Sequence, residues 1–187
     1  WPADALVLRV LRSPHAHATF SLGDLDAFCA GRDGLTRVLS AHDIPGLNGF
    51  GVYPDLKDQP VLAPGLTRFR GEAVLALVGT QAALNAIATD DLPITWQVLD
   101  AVTDPELALL SRPINPARND NVLSSGRLRH GTDNGDSQPA SDQDTLEASG
   151  AFSTPFVEHA YIEPEAGYAM PIGAGRIEIF ASTQTPY

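Results

Sequence analysis

The sequence predicts a mixed fold of the α/β (α+β) class, built in two parts. Residues 72–99 have the pattern of strand, helix and strand, because a continuous apolar run is followed by apolar residues at helical spacing and then by alternation. Beyond residue 149, apolar and polar residues alternate in short pieces that proline and glycine interrupt, which is typical of antiparallel strands. Residues 113–149, rich in proline and aspartate, predict a linker that is partly disordered. We therefore expect domains at 1–112 and 150–187.

Short elements precede the strand–helix–strand segment. The first strand is expected to end at Ser13-Pro14, because proline cannot donate to a strand ladder and holds its predecessor in extended geometry. Acidic residues at the start and Gly31 at the end mark a short helix. The predicted elements are strands at 5–12 and 35–39, a helix at 24–30 and a long loop at 47–64.

The segment 72–99 is interpreted as a βαβ-type unit. Its first run suits a strand buried on both faces, and Thr80 can cap the helix that follows. The helix has one apolar face, made by Ala83, Leu84, Ile87 and Ala88. Ile94, Trp96 and Val98 then alternate with polar neighbours, as in a strand with one wet face.

The last part of the chain predicts an antiparallel meander. Four short stretches alternate apolar and polar residues and are separated by Pro155, Pro164 and Gly173-Ala174-Gly175. These stretches are 146–152, 157–163, 166–171 and 176–183.

Composition excludes several classes of protein. The formal charge of −11 argues against binding to nucleic acid phosphates. No apolar run approaches the ~20 residues that a membrane span needs. The single cysteine, Cys29, cannot form an internal disulfide and predicts a reducing, cytoplasmic compartment. Cys29 lies in an apolar stretch, which favours a small core side chain over a reactive thiol.

Two polar groups in the first part favour structural roles. His15 and His17 are two residues apart in an extended segment, so they would point to opposite faces and could not easily share a metal ion. We expect them to form a turn after Ser13-Pro14. Glu72 opens the buried strand, either as an exposed edge charge or as a carboxylate aimed at a backbone amide, and Gly71 before it permits a positive φ.

The last part carries the more ambiguous residues. Glu158, His159, Glu163 and Glu165 could serve acid–base or metal chemistry, although a strand would point Glu158 and His159 to opposite faces. A buried histidine with a satisfied hydrogen bond is the alternative for His159. Ser182-Thr183-Gln184 closes the last strand, either as a ligand-facing rim or as an ordinary polar strand exit.

Five stretches in the same order resemble the molybdenum-cofactor-binding large subunit of the xanthine dehydrogenase and aldehyde oxidase (molybdenum hydroxylase) family. They are Leu11-Arg12-Ser13-Pro14-His15-Ala16-His17-Ala18, Asp58-Gln59-Pro60-Val61-Leu62-Ala63, Arg70-Gly71-Glu72-Ala73-Val74, residues 154–166 and Ser182-Thr183-Gln184. The resemblance implies a hammerhead-type α/β domain at 1–112 and the first strands of a molybdopterin-binding domain at 150–187. The chain is then the N-terminal fragment of such a subunit.

The resemblance also implies a function for the intact subunit. It would use a molybdopterin-type molybdenum cofactor to hydroxylate aldehydes or N-heterocycles with oxygen from water. Electrons would pass to [2Fe–2S] clusters and commonly to FAD, on other domains or subunits. Gln184 matches the glutamine that hydrogen-bonds the oxo ligand of the metal, whereas His159, Glu163 and Glu165 match supporting structure.

By the same resemblance, this chain contains no catalytic residue and no metal ligand, so the 187 residues alone are expected to be inactive. The alternative is a non-catalytic hammerhead module that serves to dock one subunit on another. An open reading frame that ends near Tyr187 would favour the module, and several hundred further codons would favour the enzyme.

Overall fold

The chain divides into two structural units. The computed structural model describes residues 2, 4–51, 57–128, 148–155, 157–160 and 162–184. One unit comprises Pro2–Gly126 and the other Arg127–Tyr187. Most of the polar stretch that predicts a disordered linker, residues 129–147, lies outside the described residues, and the predicted domain limits stay a prediction.

The described residues of the first unit form two three-stranded antiparallel sheets and three short helices. One sheet has the strand order β1-β5-β3 and the other β4-β2-β6. The strands are β1 (Val7–Arg12), β2 (Ala18–Leu22), β3 (Leu35–Leu39), β4 (Leu66–Thr67), β5 (Ala73–Gly79) and β6 (Ile94–Val98), and the helices are α1 (Leu25–Ala30), α2 (Gln81–Ala86) and α3 (Pro105–Leu110).

The core lies between the first sheet and helices α1 and α2. The apolar run of β5 places Leu75 and Leu77 at the centre with no exposed surface, and Leu84 of α2 is equally buried. Each of these two helices begins at a side-chain cap, since Asp24 accepts from the amide of Ala27 and Thr80 from that of Ala83. The alternating and apolar patterns therefore predict the elements that form the core.

Cys29 lies at the edge of this core. It is half-buried, packs against the core and donates from Sγ to the carbonyl oxygen of Leu35 at 3.4 Å. This placement agrees with a packing role.

The interpretation of residues 72–99 as a βαβ unit was wrong in its pairing. The order strand, helix, strand is correct, but β5 and β6 lie in different sheets, and every described strand pair of the first unit is antiparallel. The connection between β5 and β6, residues 80–93, is long enough for a parallel crossover, but β5 already has β1 on one side and β3 on the other. No edge of β5 is left for β6, which pairs with β2 instead.

Three elements of the first unit were missed from the sequence, among them β4, which has only two residues. Strand β2 has the period-2 pattern Ala18, Phe20, Leu22 on its more buried side, so its signal was present but short. Helix α3 is capped by Asp104, whose side chain accepts from the amides of Glu106 and Leu107, and has proline in its first turn. We did not predict this helix, because the many prolines in this part of the sequence favour a linker.

The described part of the second unit contains one antiparallel hairpin, formed by β7 (Ala166–Pro171) and β8 (Ile177–Ser182). Its turn uses Gly173 and Gly175, both at positive φ. Tyr168 and Phe180 face each other across the strands with ring centroids 4.8 Å apart.

The other two strands predicted here are absent from the described residues 148–155 and 157–160. Alternation alone does not make a strand, because the ladder also needs a partner to accept its hydrogen bonds. Among the described helices, none has the length and apolarity that a membrane span requires.

Candidate functional site

The hairpin brings together two of the polar segments identified in the sequence. Its register pairs Ala166 with Ser182, so the residues just outside the pair also become neighbours. Thr183 donates from its hydroxyl to Oε1 of Glu165 at 2.9 Å, and Ser182 donates to the carbonyl oxygen of Pro164 at 3.3 Å. The end of β8 is thereby fixed to the segment that precedes β7.

Gln184, the candidate cofactor contact, lies directly after this fixed strand end. It is in a bend and exposed. Its carboxamide offers two N–H donors and one carbonyl acceptor. The side chain therefore can meet a polar ligand at the strand end, where Thr183 and Ser182 hold the backbone.

The carboxylate and histidine cluster ahead of the hairpin is not a compact site. Glu158, His159 and Glu163 are exposed, so the alternative of a buried histidine is wrong for His159. Ala160 has a φ of 53°, which interrupts any extended run after His159. Across the described residues, no group of three or more His, Cys, Asp and Glu could hold a metal ion.

Among the described residues, the structure offers a single polar contact that suits the implied molybdenum cofactor. Gln184 offers one polar contact at the strand end. The concave surface on the hairpin, with a volume of about 550 Å³, is open and lined mainly by small and apolar residues, among them Gly167, Tyr168 and Phe180. The hairpin can therefore form one edge of a cofactor site, and the described part of the chain does not enclose one.

A second polar arrangement lies in the first unit and centres on Glu72. Only 1% of this residue is exposed. Its Oε2 accepts from the backbone amide of Arg68 at 2.6 Å, and its Oε1 accepts from Nη2 of Arg68 at 2.8 Å. Of the two readings of Glu72, the carboxylate aimed at a backbone amide is confirmed.

The network continues from Arg68 into the loop that precedes β4. Arg68 donates to Oε1 of Gln59 at 3.3 Å and to the carbonyl oxygen of Asp58 at 3.2 Å. The carboxylate of Asp58 in turn accepts from Nε of Arg118 at 2.6 Å and from Nδ2 of Asn115 at 2.9 Å. The hydrogen bond from Arg118 lowers the pKa of Asp58 below its ordinary value. The network thus contains two ion pairs, the buried pair Arg68–Glu72 and the half-buried pair Arg118–Asp58, and it joins residues that are far apart in the sequence.

Gly71 connects this network to the turn after β1. It has a φ of +96°, as the sequence permitted. Its amide donates to the carbonyl oxygen of Ser13 at 2.9 Å, and the amide of Ser13 donates to the carbonyl oxygen of Glu72 at 2.8 Å. The hydroxyl of Ser13 accepts from the amide of His15 at 3.1 Å.

The two histidines occupy this turn, as predicted. His15 packs edge-on against Trp96 with ring centroids 5.3 Å apart. Nδ1 of His17 donates to the carbonyl oxygen of Asp100 at 2.8 Å. Both rings therefore have structural contacts within the first unit.

Comparison with known proteins relates the chain to one group. It is 27% identical over 183 residues to a probable xanthine dehydrogenase component of Bacillus subtilis, covering 96% of this chain and 23% of that protein. It is 30% identical over 184 residues to the nicotinate dehydrogenase large molybdopterin subunit of Eubacterium barkeri, covering 98% of this chain and 42% of that protein. The chain thus spans less than half the length of these curated relatives. No family model matches it.

Solved structures agree with the sequence relatives. Quinoline 2-oxidoreductase from Pseudomonas putida 86 superposes with a TM-score of 0.56 and 30% identity, covering 66% of this chain and 16% of that chain. Aldehyde oxidoreductase from Desulfovibrio gigas superposes with a TM-score of 0.55 and 20% identity, covering 64% and 14%.

The fold is therefore that of molybdenum hydroxylase domains, and the mixed α/β class is confirmed. Within that class, the chain is homologous to the molybdopterin subunits of xanthine and nicotinate dehydrogenases and matches their N-terminal portion. The resemblance stated from the sequence motifs is confirmed.

Proposed function

We propose that this chain forms the N-terminal part of the catalytic subunit of a molybdenum hydroxylase, whose substrates are aldehydes or N-heterocycles. The observation that carries this proposal is homology over 96–98% of the chain to proteins named as parts of xanthine and nicotinate dehydrogenases. When bound, the molybdopterin cofactor would supply the oxygen transfer from water and accept two electrons from the substrate.

Gln184 is the residue of this chain that we assign to the cofactor. The hydrogen bonds of Thr183 to Glu165 and of Ser182 to Pro164 support this role, because they hold the backbone just before Gln184. A carboxamide on a fixed strand end can donate to an oxygen of the cofactor in a constant direction. No other described residue is assigned such a contact.

The electrons would leave through [2Fe–2S] clusters and FAD, on further domains or partner subunits. The described residues contain no group of thiolates that could bind a cluster, and Cys29 is the single cysteine of the chain. A lone, half-buried thiol also supports the proposal of a reducing, cytoplasmic compartment.

The test uses the complete product of the gene that encodes these residues, produced in a host that makes molybdopterin. The purified protein is given aldehydes and N-heterocycles in water enriched in heavy oxygen, with an artificial electron acceptor. We expect a hydroxylated product that carries the heavy oxygen. A product oxygen derived from dioxygen would contradict the proposal, and no turnover together with no bound metal would favour a docking module.

A further inference from the structure

The first unit has an apolar groove on the face of the sheet β1-β5-β3 that α1 and α2 do not cover. Strand pairing places Leu8 and Val10 of β1 on one face with Ala76 of β5. This face forms the floor of a groove with a volume of about 580 Å³. Phe50, Val61 and Phe69 also line it.

The large apolar side chains around the groove are far more exposed than core residues. Leu8 is 58% exposed, Phe50 55%, Phe69 46% and Val61 45%. Each full burial of such a side chain stabilises a protein by about 1.5–3 kcal/mol. A contiguous exposed group of this kind marks a surface that a protein segment, a ligand or a membrane covers.

One wall of the groove, formed by residues 48–50 and 59–62, is held in place by hydrogen bonds within the first unit. Asn48 accepts from the amides of Val61 and Leu62 at 2.9 and 3.1 Å and donates to the carbonyl oxygen of Leu62 at 2.8 Å. Phe50 and Gln59 exchange backbone hydrogen bonds of 2.8 and 3.1 Å. A preformed wall lowers the entropic cost of covering the groove.

The polar groups of the groove are already engaged within the first unit. Asp43 pairs with Arg37 at 3.0 Å, and Gln59 is bound to Arg68. Arg12 donates to the carbonyl oxygen of Gly71 at 2.9 Å. The groove therefore offers apolar contact and little charge recognition, which favours an apolar protein segment over a charged ligand.

We infer that this groove is covered by an apolar segment from the remainder of the same subunit. The inference rests on the proposed function. The matched regions span only 23% and 42% of the length of the relatives, so most of such a subunit lies outside these residues. An apolar surface of this kind suits a permanent contact, and a segment of the same polypeptide has a high effective concentration at the groove.

The test measures access to the groove in the full-length, molybdenum-loaded subunit, separated from any iron–sulfur or flavin subunit. Val61→Cys reports on the wall of the groove and Leu8→Cys on its floor. Val98→Cys, on the other sheet and 63% exposed, is the control. Each variant is labelled with a maleimide in the native state and in urea, and mass spectrometry of peptides reads each site, with Cys29 as a half-buried internal reference.

We expect both groove cysteines to react at least about tenfold more slowly in the native state than in urea, because a covered site reacts only when it opens. A smaller difference at either position would overturn the inference, and so would protection that appears only when a separate subunit is added. Val98→Cys checks that the reagent reaches the native surface. The metal content of the same sample separates the two claims, since absence of molybdenum counts against the proposed function and free labelling with molybdenum bound counts against the groove alone.

Discussion

Arg68 and Glu72 form a buried ion pair at the start of β5. Nη2 of Arg68 lies 2.8 Å from Oε1 of Glu72, and the side chain of Glu72 has no exposed surface. The pair fixes the turn around Gly71 and, through Gln59, the loop that forms a wall of the apolar groove. A charge this deep in the fold is stable only with its partner.

Arg68→Met is expected to lower the free energy of unfolding by about 3–5 kcal/mol, because it leaves the buried carboxylate of Glu72 without its partner. Urea unfolding followed by circular dichroism measures the change. The matched control is Arg37→Met, which breaks the ion pair with Asp43 where the arginine is 66% exposed. We expect less than about 1 kcal/mol there. Equal losses in the two variants would show that burial does not set the strength of the Arg68 pair.

Stability is expected to fall in acid partly through Asp58. The hydrogen bond from Arg118 holds the pKa of Asp58 below its ordinary value in the folded state. A carboxylate with a lowered folded pKa contributes stability that is present above its unfolded pKa and is lost as the pH falls through the folded value. We therefore expect Asp58→Asn to be less stable than the parent at neutral pH and to lose less stability on acidification.

Urea midpoints measured from pH about 7 down to about 3 test this prediction. The parent should keep part of its acid sensitivity through Asp43, whose pKa is also lowered, first by the amide of Ser40. Identical pH dependence of Asp58→Asn and the parent protein would contradict a role for the Arg118 hydrogen bond.

Gly71→Ala is expected to destabilise the chain by about 1–2 kcal/mol, because its φ of +96° is unfavourable for any residue with a Cβ atom. Gly46→Ala is the matched control. A Cβ atom at either position meets nothing within 4 Å, but Gly46 has no such φ. Chemical unfolding of the two variants thus isolates the backbone conformation. If Gly46→Ala cost as much as Gly71→Ala, φ would not be the reason for the glycine.

Gln184→Ala in the full-length subunit is expected to lower turnover by about 10–100-fold, as loss of an outer contact to a metal site does. The contact follows from the proposed function, so the variant is first checked for bound molybdenum. Glu178→Gln, exposed on the strand β8 that ends just before Gln184, is the control and should keep parental turnover. Parental turnover in Gln184→Ala would remove the residue from the cofactor site.

The elements that could be predicted from the sequence are those whose apolar pattern is long or regular. The run at 73–79 and the alternation at 94–98 predict β5 and β6, because burial of one or both faces leaves a period in the sequence. Their pairing could not be predicted in the same way. It depends on which strands occupy the two edges of β5 and on β2, which has only five residues.

The contacts between polar side chains could be predicted from the sequence even less well than the strand pairing. Arg118 and Asp58 are 60 residues apart, and no period or motif links them. Thr183 meets Glu165 only because the register of the hairpin pairs Ala166 with Ser182. Gln184 is proposed as a cofactor contact from a family motif, because its own sequence pattern is equally that of an ordinary polar strand exit.

The most direct measurement of the central claim is the molybdenum content of the full-length gene product, purified from a host that makes molybdopterin. If the chain is the N-terminal part of a molybdenum hydroxylase subunit, the purified protein will contain stoichiometric molybdenum, whereas the 187-residue chain produced alone will contain none. A full-length product without molybdenum would contradict the claim. Stoichiometric metal on the short chain would contradict the view that it provides only one edge of the site.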